Sequence, residues 1–277
     1  MGRPEVFVVP LIAAVLVACS ATPAPTASVP GPDAPASLQR TFGPDFPAVA
    51  PSDGGARIDA AVLSHDRRTL SVAFIGAQAY APANPCSEDY GAWAAISGDT
   101  LNVQVDRIEH PDQATFAPGS SCTADGHQYL FQILLRTPFA GSTVRDVASG
   151  PLWIAPPDGV VELAPVPSGW RLTSIVTNAD TREIDREYRP GPDSPGDDNR
   201  YLYLGQVLGG PSSYAVDVAV ATRSIRGQEV SIGRNGDVGY IANWWLGGDT
   251  LTLITYDAAL TVEAFVALAN AVAVPPE

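Results

Sequence analysis

The feature that most constrains the fold is a two-residue hydrophobic period. Leu70, Val72 and Phe74 alternate with Ser71 and Ala73. Leu101, Val103 and Val105 alternate with Asn102, Gln104 and Asp106, and Tyr129, Phe131, Ile133 and Leu135 fall on one side of a further run. Neighbouring side chains of a strand point to opposite faces, so such runs read as half-buried strands in antiparallel sheets. Turn signals stand between them at Ser64-His65-Asp66, Ser97-Gly98-Asp99 and Pro118-Gly119-Ser120. No helical period of convincing length appears between residues 56 and 157. The expectation is a mainly β chain whose first folded block, residues 55–157, is an antiparallel β-sandwich.

A second β-rich block is expected over residues 169–277. Pro156-Pro157-Asp158-Gly159 and Pro165-Val166-Pro167-Ser168-Gly169 bracket the stretch between the blocks, so residues 158–168 read as a linker. Strands are expected to begin near Trp170, Ile184, Tyr201, Tyr214, Val230, Tyr240 and Leu251. Tyr214, Val216, Val218 and Val220 alternate with Ala215, Asp217 and Ala219. Gly247-Gly248-Asp249 lies between Asn243-Trp244-Trp245 and Leu251-Thr252-Leu253 and reads as a hairpin turn. Thr261 can N-cap a terminal helix that carries Val262, Phe265, Val266, Ala269 and Val272 on one face. The second block is therefore expected to be α+β, an antiparallel sheet with a C-terminal helix. The two blocks are expected to be separate domains joined by a modest interface.

The start of the chain has a different character. Residues 6–17 form an apolar run too short for a bilayer, which takes roughly 20 residues. The run suits the h-region of a signal peptide. It ends in Leu16-Val17-Ala18-Cys19, and a Pro/Ala-rich stretch follows at once. This order resembles the lipobox of bacterial lipoproteins, in which the cysteine sulfur receives a diacylglyceryl group and becomes the new N-terminus. The resemblance implies a signal peptide over residues 1–18, a lipidated, palmitate-bearing Cys19, and a cell-membrane protein facing outside the cytoplasm. Residues 19–54 read as a disordered tether, because they cannot bury enough apolar area to offset ordering. Polyproline stretches would extend such a tether at about 3 Å per residue, for an outer reach on the order of 100 Å.

Charge and cysteine usage fit that compartment. The formal net charge is -14, and there is no Lys. With the many Ala, Pro and Gly, an all-Arg cation set suggests a GC-rich, actinobacterial-type genome. The acidic balance argues against nucleic acid and against adsorption to anionic lipid, which leaves the acyl chains as the membrane attachment. With Cys19 lipidated, Cys86 and Cys122 remain, and outside the cytoplasm such a pair reads as a disulfide. Closing that loop is expected to stabilise the fold by about 3–4 kcal/mol.

Two further resemblances concern the blocks. The order "RRTLSVAFIGA", Cys86, "DTLNVQVDRI", Cys122, "LFQILLRTPFAGSTVRDVASG" resembles a β-sandwich module of actinobacterial secreted and lipid-anchored proteins, over residues 67–150. It implies no activity. The C-terminal half has Arg226-Gly227 to Ile232-Gly233 as a strand pair, a Trp strand, a hairpin, and a helix carrying "EAFVALANA". It resembles a small α+β domain of unassigned function at the C-termini of bacterial surface lipoproteins and anti-sigma-factor-linked proteins, over residues 167–274.

No constellation specifies a reaction. His65, His110 and His127 are far apart and match no metalloprotease spacing. A Ser120/His127/Asp grouping lacks a GxSxG elbow. Asp193, Asp197 and Asp198, with Asn199, could offer oxygens to calcium, but the spacing is not that of an EF-hand and reads as a solvated acidic loop. Trp244 and Trp245 must point to opposite faces if they lie on a strand. One then enters the core, and the other is left for packing or for a ligand surface. The reading is a non-enzymatic envelope lipoprotein without cofactor or metal. It would present a binding surface to an unknown envelope protein or cell-wall ligand. Extracytoplasmic sensing or regulation is the alternative, and wall hydrolysis a weaker one.

Overall fold

A computed structural model describes residues 38–43, 55–115, 121–122, 126–191, 200–236, 239–257 and 259–273. The first block contains β1 (Leu38–Phe42), β2 (Ile58–Leu63), β3 (Thr69–Gly76), β4 (Gln78–Ala79), β5 (Ser87–Ser97), β6 (Thr100–Ile108), β7 (His127–Leu134), β8 (Thr143–Asp146) and β9 (Gly150–Leu152). They form two sheets, ordered β1-β7-β3-β2 and β4-β5-β6-β8-β9. Leu70, Val72, Phe74, Phe131 and Ile133 from the first sheet meet Ala92, Leu101, Val103, Val105 and Val144 from the second. This is the expected β-sandwich, with the period-two residues inward. Its centre is aromatic: Phe74 stacks on Tyr129 at 4.9 Å and meets Tyr90 and Phe131 edge-on at 5.2 and 5.1 Å.

β1 lies inside the stretch read as tether, which corrects that boundary. It runs parallel to β7, in the register Leu38↔Tyr129 to Phe42↔Ile133. Phe42 is buried, with its ring 5.0 Å from that of Phe131. Arg40 binds Asp89 at 2.6 Å and donates to the Tyr90 carbonyl at 3.1 Å. The Phe42 ring and the Arg40 guanidinium thus add to the ladder that β1 makes with β7.

The second block contains β10 (Glu162–Leu163), β11 (Trp170–Asn178), β12 (Glu183–Pro190), β13 (Tyr201–Val207), β14 (Ala219–Ile225), β15 (Gln228–Asn235), β16 (Gly239–Leu246), β17 (Asp249–Tyr256), helix α1 (Val262–Ala271) and β18 (Val272–Ala273). Seven strands make one antiparallel sheet, ordered β11-β12-β13-β17-β16-β15-β14. α1 covers part of one face. The fold is therefore mainly β, antiparallel in most pairings, with a C-terminal helix.

The residues read as a linker also carry structure. Pro157–Gly159 form a 3-10 turn, and β10 pairs with β18 in the register Glu162↔Ala273. Val161 and Leu163 belong to the second core. Gln206 accepts from the Val161 amide at 3.1 Å and donates to the Gly159 carbonyl at 2.6 Å and to Asp249 at 2.8 Å. Apolar residues at 160, 161 and 163 bind this stretch to the sheet despite its flanking prolines.

A third cluster joins the blocks. Ala60, Val62, Ala73 and Leu130 lie on the outer face of the first sheet and pack with Val160, Ile175, Ile184 and Leu208. The β1-β7-β3-β2 sheet is thus apolar on both faces, which explains the nearly continuous run Ala60-Ala61-Val62-Leu63.

Segment 214–218, expected to be a strand, is not one; β14 begins only at Ala219. The segment crosses the face of the sheet opposite α1 as an irregular strap. Asn243 Nδ2 donates to the Tyr214 carbonyl at 2.7 Å, and Ser212 pairs with Thr252 at 2.7 Å. An added Cβ at Gly233 would lie 2.7 Å from Val216 Cγ1, so this glycine admits the strap. Polar side chains of the sheet have captured the backbone that alternation alone would give to a ladder.

Candidate functional site

α1 starts where the sequence predicts. The Thr261 side-chain oxygen accepts from the Ala264 amide at 3.2 Å. Phe265, Ala269 and, just beyond the helix, Val272 enter the core. The helix sequence VEAFVALANA has only Glu263 and Asn270 as polar members. A second apolar stripe therefore exists: Ala264, Ala267, Leu268 and Ala271 recur at i, i+3, i+4 and i+7.

That second stripe borders an open groove of about 380 Å3. The sheet contributes Leu202 and Thr255, which face each other across β13 and β17. Trp170 and the prolines at 165 and 167 line the groove from the β10–β11 connection, and Leu260 lies ahead of the helix. Among the described residues Asp257 is the only charged one in the lining, and Arg200 pairs with it at 3.7 Å. The Thr255 hydroxyl oxygen already accepts from the Tyr240 amide at 3.1 Å. The lining thus offers a bound molecule hydrocarbon contact and almost no free polar group.

The two tryptophans part as strand geometry requires. Trp244 is 2% exposed, within the second core, so the ligand surface imagined for the pair loses this member. Trp245 is 52% exposed on the opposite face. The Gln228 side chain holds its backbone at both polar atoms, at 3.2 and 2.5 Å. Trp245 does not line the groove.

Under the strap lies a buried polar group. Burial pushes the Asp185 carboxyl up to about 7, and Glu183 adds to this, against the Tyr203 hydrogen bond and the Arg186 charge. Tyr214 in the strap donates to the Tyr203 hydroxyl at 3.0 Å. Arg186 is buried on the other face of β12, and its Nη1 and Nη2 have no hydrogen-bond partner.

The remaining candidates do not converge. His110 bonds Asp89 at 2.9 Å and stacks on Tyr80 at 3.9 Å. His65 sits in the β2–β3 turn, and His127 opens β7. Cys86 and Cys122 lie at disulfide distance, with Cα atoms 5.4 Å apart, and tie the start of β5 to the approach to β7. Cys19, Ser120, Asp193, Asp197, Asp198 and Asn199 lie outside the described residues. Among the described residues, no three His, Cys, Asp or Glu side chains group to hold a metal ion.

The groove was not anticipated. Its signal was present in the sequence: Ala264 and Ala267 carry the apolar surface of the helix past the stripe that the core needs. No protein-family model matches the chain, and no curated protein matches it.

Proposed function

We propose that this chain is a non-enzymatic lipoprotein of the cell envelope, held by acyl chains on Cys19, whose second block presents a binding surface outside the membrane. The observation that carries the binding role is the groove beside α1. A short surface helix normally keeps one face polar. Here Leu268 and Ala271 pack at the edge of the core, Ala264 and Ala267 extend that apolar surface past it, and together they border open space of ligand size, since small-molecule sites begin at about 300 Å3. The leader, the Cys19 context and the Pro/Ala-rich follow-on support the location. Polar clusters elsewhere are engaged in holding loops: Asp99 fixes Ser142, and Asp146 fixes the Ile58 amide and Ser149.

The test is photocrosslinking in the cell from an aromatic photoreactive side chain that replaces Trp170, which is of similar size and lines the groove, with position 222 on β14 as control. A discrete adduct from 170 and none from 222 is expected. Equal adducts from both, or none from 170, would overturn the groove as the binding surface.

A further inference from the structure

We propose that the strap over the second sheet, residues 209–218, is a pH-dependent latch over Asp185, closed while that carboxyl is protonated and released when it ionises. This goes beyond the binding role of the groove, which lies on the other face of the sheet. None of residues 209–218 is buried, and Tyr214 and Val218 are 38% and 71% exposed. Segments that bury so little apolar surface open at low cost. Hydrogen bonds hold the strap instead. The Gly209 amide donates to Asp249 at 3.0 Å, Thr250 to the Gly210 carbonyl at 2.5 Å, and Asn243 to the Tyr214 carbonyl at 2.7 Å. The Tyr214 hydroxyl donates to that of Tyr203 at 3.0 Å, and the two rings meet edge-on at 5.4 Å.

Tyr203 connects that bond to Asp185. In the β12–β13 register Asp185 stands opposite Gly205, two residues along from Tyr203 and on the same face. Gly205 leaves the carboxyl its space: a Cβ there would lie 3.2 Å from Asp185 Oδ1 and 3.1 Å from Tyr203 Cε1. Oδ1 is shut off from solvent and has no hydrogen-bond partner. A neutral carboxyl tolerates such a place, whereas a carboxylate needs donors or water. Tyr203 gives it one hydrogen bond, which favours the charge, but burial outweighs that bond and pushes the pKa up to about 7. The neighbouring groups do not reverse the sign. Glu183 on the same strand adds to the rise, and Arg186 opposes it from the other face. Glu187, opposite Tyr203, is paired by Arg189 at 2.5 Å. β11 places the uncharged Val176 beside Asp185. From the strap come Tyr214, itself pushed up by burial, and the exposed Asp217, with Arg182 near Gly209 at its start.

Lifting Tyr214 off Tyr203 admits water to the carboxyl, and a hydrated carboxyl returns towards its ordinary value of about 4. The closed strap therefore binds the proton more tightly than the open one. It is favoured in acid and loses ground as pH rises through about 7. The distance between the two values limits that shift to about a thousandfold. Opening uncovers the part of the sheet that the strap crosses, at Asn243, Thr252 and Gly233.

The test is hydrogen exchange of the full chain, read by mass spectrometry and corrected for the intrinsic rate at each pH. Peptides from the strap and from β16 are compared at about pH 5 and about pH 8. In the wild type, protection of the strap is expected to fall at least about tenfold between the two, with β16 unchanged. Asp185→Asn should keep the acid level of protection at both pH values. Glu183→Gln should leave the step in place. Tyr214→Ala, which uncovers the carboxyl whatever the strap does, should remove it. Protection of β16 shows that each variant is folded, and if one of Asp185→Asn and Tyr214→Ala is not, the other decides. Strap protection that is equal at both pH values, or that rises with pH, would overturn the proposal. So would a step that Asp185→Asn retains, or one that β16 shares.

Discussion

At the scale of single residues, two buried charges make the sharpest predictions. Arg186 lies between Ile184 of the joining cluster and Tyr188 of the second core, and burial lowers its pKa. Its outer nitrogens have no hydrogen-bond partner. A buried charge of this kind is costly, and apolar replacements of buried ionic groups are often stabilising by about 1–4 kcal/mol. Arg186→Met is therefore expected to raise the melting temperature, as checked by calorimetry. Asp185 is the mirror case across the same strand. Its folded pKa of about 7 lies well above the ordinary carboxylate value of about 4, so the folded state binds the proton more tightly. Its contribution to stability is full below about pH 4, falls as pH rises through 7, and is flat above that. Burial raises Glu183 in the same direction, so the variant comparison isolates Asp185. Asp185→Asn should flatten the slope of melting temperature between pH 5 and 8 and raise stability at pH 8. Neither charge was legible in the sequence, because Glu183 to Arg189 alternates like any half-exposed strand. By contrast, the parting of Trp244 and Trp245 was legible, since it needs only the strand's period of two.

At the scale of elements, legibility tracks burial on one face. β3, β6 and β7 announce themselves by alternation. β5 does not, because Tyr90, Ala92 and Trp93 are all buried and the period disappears. Tyr214 to Val220 alternates and yet forms no strand before Ala219, because Asn243 and Thr252 hold the backbone near Tyr214 over the sheet and Val218, 71% exposed, has no core to enter. β1 was missed for the opposite reason: its Phe42 lies between long polar and proline-rich stretches that mask a five-residue signal. The Cys86–Cys122 tie is an element-scale device, since it closes a separation of 36 residues between β5 and β7. Chain entropy puts its contribution at about 3–4 kcal/mol. Cys86→Ser with Cys122→Ser should lower the melting temperature of the first block by roughly 15 °C, as read by calorimetry. An unchanged transition would mean that the cysteines are not joined.

At the scale of the whole molecule, the blocks are distinct in their sheets but share the cluster of Val62, Leu130, Ile175 and Ile184. That shared core reflects apolar residues on the second face of the first sheet, which sequence alone cannot assign to a partner. β10 assigns residues 158–168 to the second block. A fragment of residues 158–277 should therefore melt cooperatively, whereas residues 166–277 lack Val161 and Leu163 and should melt broadly. If both fragments are molten, the blocks complete one another and form a single folding unit.

The proposed lipid anchor at Cys19 is tested by metabolic labelling with a palmitate analogue, followed by detergent-phase partition of the wild-type and Cys19→Ala proteins. The wild type is expected to label and to enter the detergent phase, and Cys19→Ala to do neither. A Cys19→Ala protein that labels and partitions as the wild type does would contradict it.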